Sequence, residues 1–134
     1  MNTRELTESD WSTLQDWWSA WPKWQTPVKD FLPNNGTGGL MVEKEGLPIV
    51  AGFIYLTNSK TALLEWIVSN PDYREVDRGE AIETLIIKSE EVIKASGYKY
   101  VFAVLQHEKL IKTQLKLGWK ADVKPSYELT KILK

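Results

Sequence analysis

The 134-residue chain has no cysteine and a single histidine, His107. The first absence excludes disulfides, thiolate metal sites and cysteine nucleophiles together. The second leaves any metal centre dependent on carboxylates, and these do not cluster at ligand spacing, so no metal site is expected. Net charge is scarce too, with 17 Lys and Arg against 18 Asp and Glu. That balance excludes a general attraction to nucleic acid or to an acidic membrane, and any partner must be recognised locally. No apolar run reads as a leader or spans a bilayer, so the expectation is a soluble, cytoplasmic protein with neither nucleic-acid nor membrane partner. The length fits one domain, 1–134, with a continuous core and one site.

Tryptophan, in contrast, is abundant: there are seven, and Trp11, Trp17, Trp18, Trp21 and Trp24 lie close together. At helical spacing Trp11, Leu14, Trp17, Trp18 and Trp21 form an apolar stripe, on a helix that Thr7, Ser9 or Asp10 can cap and Pro22 stops. Five indoles cannot share one stripe. One or two should line a cleft, and Trp18, Trp21 and Trp24 are the candidates for substrate binding. An apolar wall with polar tips suits a small molecule and a protein patch equally.

Residues 22–39 carry three prolines and three glycines and read as a loop, with one helical turn at 28–32. Two β-rich runs, 40–43 and 49–57, flank a Glu45-Gly46 hairpin turn, and Ile49, Ala51, Phe53 and Tyr55 share a face of the second. The run 62–69 is apolar apart from Glu65, as in a central strand buried on both sides. After Asn70-Pro71-Asp72, the spacing of Ile82, Leu85, Ile86, Ser89, Val92 and Ile93 predicts a helix over 80–96, closed by Gly97. A buried strand over 98–105 completes a crossover unit that makes it a parallel neighbour of 62–69. A helix over 108–117 ends at Gly118, and 119–123 with 127–133 predict a closing hairpin around Pro125. The fold class is α/β (α+β), a mixed, mostly antiparallel sheet of about six or seven strands flanked by about four helices.

Several of these stretches resemble the GNAT superfamily of N-acetyltransferases, over essentially the whole chain. Residues Arg4 to Trp11 resemble the family's first strand entering its first helix, and Ile67-Val68-Ser69-Asn70-Pro71-Asp72-Tyr73-Arg74 its central strand entering the cofactor loop. Leu117-Gly118-Trp119 is similar to the Leu-Gly-Phe that closes the family's last helix. The Trp-rich start and the Ile-Val-Ser-Asn-Pro run also resemble GNAT-like proteins of tailed phages of cyanobacteria. The resemblance implies acetyl-CoA as cofactor. Its pantetheine arm would lie along the main chain of Ile67, Val68 and Ser69, and its pyrophosphate on the turn Arg78-Gly79-Glu80-Ala81-Ile82-Glu83 at a helix N-terminus.

Ala81 and Glu83 stand where the family has glycines. A carboxylate 4 Å from a phosphate is repelled by about 1 kcal/mol in bulk water and about four times that at a surface-like dielectric. Glu80 and Glu83 also suit the first turn of any helix, ligand or none. Glu65 aligns near the general base of some members, and His107 takes the place of a cofactor-contacting Asn or caps the last helix. Gln114 stands where a tyrosine commonly acts as general acid. Two readings follow. One is an N-acetyltransferase moving acetyl from acetyl-CoA to a primary amine on a small molecule or peptide. The other is a GNAT fold without catalysis, a binding or structural protein such as a phage virion or host-takeover component, using its Trp17–Trp24 surface. A dimer stays open under both.

Overall fold

Residues 1–122 and 124–134 are described by a computed structural model, in which the alternating apolar segments pair into one five-stranded sheet. The strands are β1 (Asn2–Glu5), β2 (Gly39–Lys44), β3 (Leu47–Leu56), β4 (Thr61–Ser69) and β5 (Tyr100–Phe102), in that spatial order. All neighbours are antiparallel except β4 and β5, the parallel pair that the crossover predicts. Three helices complete the fold: α1 (Trp11–Ala20), α2 (Arg78–Ala95) and α3 (Glu108–Lys116). Short 3-10 turns at Lys29–Phe31 and Pro33–Gly36 punctuate the long loop. Glu45 and Gly46 both adopt positive φ, the backbone of the tight turn that joins β2 to β3. Gly97 and Gly118 close α2 and α3 in the left-handed conformation.

Each face of the sheet buries its own core. Ala81, Leu85, Ile86 and Ile93 of α2 cover Val42, Val50, Leu64 and Ile67 on one side. Leu14, Trp17 and Trp18 of α1 cover Met41, Ala51, Phe53 and Val68 on the other. Ile49 departs from the predicted alternation. The register passes from Val42↔Val50 to Glu43↔Pro48, so Ile49 is the extra residue of a bulge and joins Val50 under α2 instead of Ala51 and Phe53. β1 is tied to α1 by Arg4, which makes two 2.8 Å bonds to the Asp10 carboxylate and a 3.1 Å contact to Glu43. Asp10, 6% exposed, also accepts the Thr7 N–H at 2.8 Å. The Arg4 guanidinium holds the Asp10 carboxyl below its usual range. Its stabilisation is therefore present above that range and lost as pH falls through the lowered pKa.

The element count corrects the sequence-based one, with five strands and three α-helices among the described residues in place of about six or seven and about four. The predicted buried strand over 98–105 is only Tyr100–Phe102, and it is an edge: Tyr100 is 64% exposed and Phe102 55%. The predicted closing hairpin includes position 123, outside the described residues, and 124–134 form no strand. Tyr127, Leu129, Ile132 and Leu133 are exposed there. With no facing layer, a lone hairpin buries too little apolar area to offset the entropy of ordering it. No helix among the described residues is long and apolar enough to cross a membrane.

Candidate functional site at the parting of β4 and β5

β4 and β5 pair over three positions only, from Thr61↔Tyr100 to Leu63↔Phe102. β4 then continues to Ser69, while the chain after Phe102 leaves the sheet and enters α3 at Glu108. A gap opens between them. Backbone direction along β4 follows from two bonds: Asn70 N–H goes to Ile49 C=O of β3 at 2.7 Å, so the preceding residue faces the gap, and Ser69 C=O does accept a bond from that side. By the same alternation Ile67 faces the gap, while Val68 faces β3, opposite Ala51, with its side chain buried under α1.

Glu65 marks the narrow end. Its Oε1 accepts the Val104 N–H at 2.7 Å, bridging the two walls, and Oε2 has no hydrogen-bond partner among the described residues. Burial pushes the carboxyl up to about 7 against the opposing pull of the Val104 N–H, and Glu128 adds to the rise. The next residue, Trp66, is the bulge of β4, since the register passes from Ala51↔Val68 to Phe53↔Glu65 and Trp66 has φ 59. A left-handed backbone at a bulky residue costs on the order of 1–3 kcal/mol. Trp66 is held there by edge contacts to Trp18 at 6.2 Å and Phe31 at 5.9 Å.

The wide end lies at Ser69, four residues on and roughly 13 Å along the strand at ordinary rise. Trp21 Nε1 donates to Ser69 C=O at 2.8 Å, and Arg78 donates to Ser69 Oγ at 2.7 Å. The Arg78 guanidinium also lies 5.0 Å from the centre of the Trp21 ring. Burial, with Arg74 nearby, lowers the Arg78 pKa without taking away its charge. Trp24 follows at 6.5 Å from Trp21 and meets the His107 ring edge-on at 6.3 Å. His107 occupies the position before α3 but its side chain makes no capping bond. Trp18 corrects the candidate set: at 0% exposure, stacked on Phe53, it has no surface to offer a ligand.

Beyond Ser69 stands the head of α2. The Arg78 and Ala81 amides are taken by Glu75 and Asp77 carbonyls, and those of Ile82 and Glu83 lie within the helix ladder. Only the Gly79 and Glu80 amides have no partner among the described residues, and both residues are exposed. They stay free because Asp77, the residue before the helix, turns its carboxylate elsewhere. It pairs with Lys44 at 2.7 Å and accepts from Tyr73 Oη at 2.6 Å, beside a surface hollow of about 330 Å³. A Cβ at Gly79 would meet nothing within 4 Å, so no neighbouring group crowds the outer side of this turn. Glu83 is paired with Lys116 of α3 at 2.7 Å, which offsets the repulsion its carboxylate would exert on a phosphate.

Gln114 lies on the α3 stripe between Leu110 and Leu117, which pack against the α2 core. It is 2% exposed, and neither amide atom has a partner among the described residues. Gln114→Leu is therefore expected to raise stability by about 1–2 kcal/mol in urea denaturation, since a buried unpaired amide costs that much. A loss of stability would mean that the amide has a partner after all.

Sequence reasoning missed the Val104 N–H, which as main chain leaves no residue signature, and the Lys116 pairing, whose only signal was a cation in the last turn of α3. Among the described residues no group of three His, Asp or Glu could hold a metal ion.

No family model matches the chain, and no curated protein does. Solved structures do match. A wild-type protein from Thermus thermophilus is 20% identical over 100% of this chain and 98% of that one, with a TM-score of 0.65. The ribosomal-protein-S18-alanine N-acetyltransferase from Escherichia coli is 16% identical over 87% of this chain and 76% of that one, with a TM-score of 0.70. AAC(6')-Iy in complex with the bisubstrate analogue CoA-S-monomethyl-acetylneamine is 14% identical over 98% of each chain, with a TM-score of 0.63. These likenesses establish the fold, a GNAT-like mixed α/β architecture.

Proposed function

We propose that the chain is an acetyl-CoA-dependent N-acetyltransferase acting on a primary amine. The observation that carries this reading is the parted edge of β4, with two free helix amides beyond one end and a half-buried carboxylate at the other. Coenzyme A fits this donor set. The free Gly79 and Glu80 amides at the positive end of α2 suit a pyrophosphate, Arg78 adds positive charge nearby, and Lys116 neutralises Glu83. Ile67 and Ser69 offer main-chain groups to an extended arm, and the neighbour solved with a CoA-linked analogue supports the same cofactor here. When bound, acetyl-CoA supplies the activated acetyl group.

Glu65 acts on the acceptor. With a pKa of about 7 it is poised to take a proton from an amine at Oε2 while Val104 holds Oε1 in place. Gln114 has no proton to give and is buried, so the reading asks nothing of it and assigns the remaining rate to positioning. Trp17 and Trp18 are core, which leaves a non-catalytic binding surface only Trp21 and Trp24, and both of these turn towards the gap.

Thermal denaturation with coenzyme A tests the reading. Ligand at 100 times its Kd is expected to add about 2.7 kcal/mol, and Arg78→Ala should shrink the gain. No shift at millimolar coenzyme A would overturn it.

A further inference from the structure

We propose that Trp21 gates the cofactor site: its indole N–H holds the Ser69 carbonyl in the free chain and must leave before an acyl-thioester arm can pair along β4. The inference rests on the coenzyme A reading above. Ser69 C=O is the acceptor at the mouth of the gap, and Trp21 Nε1 already occupies it at 2.8 Å from 48 residues away in sequence. Trp21 and Trp24 together stretch from Ser69 on one wall to His107 on the other.

The segment that carries these rings is weakly tethered. α1 ends at Ala20, Pro22 prevents its continuation, and Lys23 adopts φ 69. Among the described residues, 22–27 make one main-chain hydrogen bond, from Trp24 N–H to Trp21 C=O at 3.4 Å, so side-chain contacts are what hold the gate shut. Arg78 links the gate to the phosphate end, because the guanidinium that lies over Trp21 also bonds Ser69 Oγ. Withdrawal of the indole uncovers one face of that guanidinium and leaves its bond to Ser69 in place. The chain thus exchanges an internal donor for the ligand's own, and its affinity is reduced by the bond that must be broken.

Trp21→Phe keeps an aromatic ring for Arg78 and Trp24 but removes the donor. In isothermal titration with coenzyme A it is expected to bind about three- to tenfold more tightly than the natural chain, the equivalent of one neutral hydrogen bond. Equal or weaker binding by Trp21→Phe overturns the gate. A second readout follows the natural chain itself: the indole N–H resonance of Trp21, identified by its loss in Trp21→Phe, should be protected from exchange in the free chain and lose that protection with coenzyme A. If coenzyme A binds and the resonance stays protected, the gate is wrong and the cofactor reading stands. If coenzyme A binds to neither protein, both fall.

Discussion

Glu65→Gln is expected to lower kcat for acetyl transfer by about a hundredfold to ten-thousandfold, the usual yield of a positioned general base, and to make the fold more stable above pH 7. Both effects come from the same burial. The carboxyl is held at about 7, above the ordinary glutamate value of 4.5. Between those two values the folded chain keeps a proton that the unfolded chain has lost, so stability is highest at the acid side and declines as pH rises through the window. Gln has no proton to lose and removes that decline, while its side-chain oxygen can still accept the Val104 N–H. The same pKa gives the natural chain a kcat/KM that climbs towards a plateau above pH 7 as the base is freed. The measurements are acetylation of a panel of primary amines with acetyl-CoA across pH 5–9, and urea denaturation of both proteins at either end of that range. An acid limb near pH 7 that persists in Glu65→Gln would remove the carboxylate from the chemistry.

The origin of that burial was partly legible in the sequence. A lone carboxylate inside the otherwise apolar run of β4 announced itself, as did the Glu45-Gly46 turn, the stripe of α2 with its Gly97 stop and the parallel pairing of β4 with β5. These are short-range signals, in which period and turn chemistry act within a few residues. What the sequence did not disclose depends on contacts between distant segments. The bulges that displace Ile49 and Trp66 appear only in the register of paired strands. Which indole lies in the core and which lines the gap is decided by the angle at which α1 meets the sheet, and the five clustered tryptophans look alike in sequence. The freedom of the Gly79 and Glu80 amides depends on Lys44, 33 residues from the Asp77 it draws aside. The short β5 and the exposed tail were misread for a related reason: apolar composition predicts burial, but only a facing layer can supply it.

Trp18 gives the sharpest test of that sorting of indoles, because its two substitutions should diverge. Trp18→Ala is expected to cost about 3–5 kcal/mol in urea denaturation, the range for emptying a large aromatic site in a close-packed core. Against a total stability of about 5–15 kcal/mol for a domain of this size, that is a large share. The ring is fully buried, stacked on Phe53 at 6.1 Å and met edge-on by Trp11 at 6.1 Å and Trp66 at 6.2 Å. Trp18→Phe should instead stay within about 1 kcal/mol of the natural chain. It leaves a smaller cavity, and it also removes an indole N–H that is buried without a partner among the described residues. A tryptophan lining an open cleft would behave differently, since truncation there leaves no cavity and water fills the space; a cost below about 1 kcal/mol for Trp18→Ala would return Trp18 to the cleft wall. The consequence reaches the site through Trp66, whose left-handed backbone at the β4 bulge is held in part by the Trp18 ring. Loss of that ring should relax the bulge beside Glu65. In Trp18→Ala the acid limb of the pH profile is therefore expected to move towards the ordinary carboxylate range as water gains access, whereas in Trp18→Phe it should stay near pH 7.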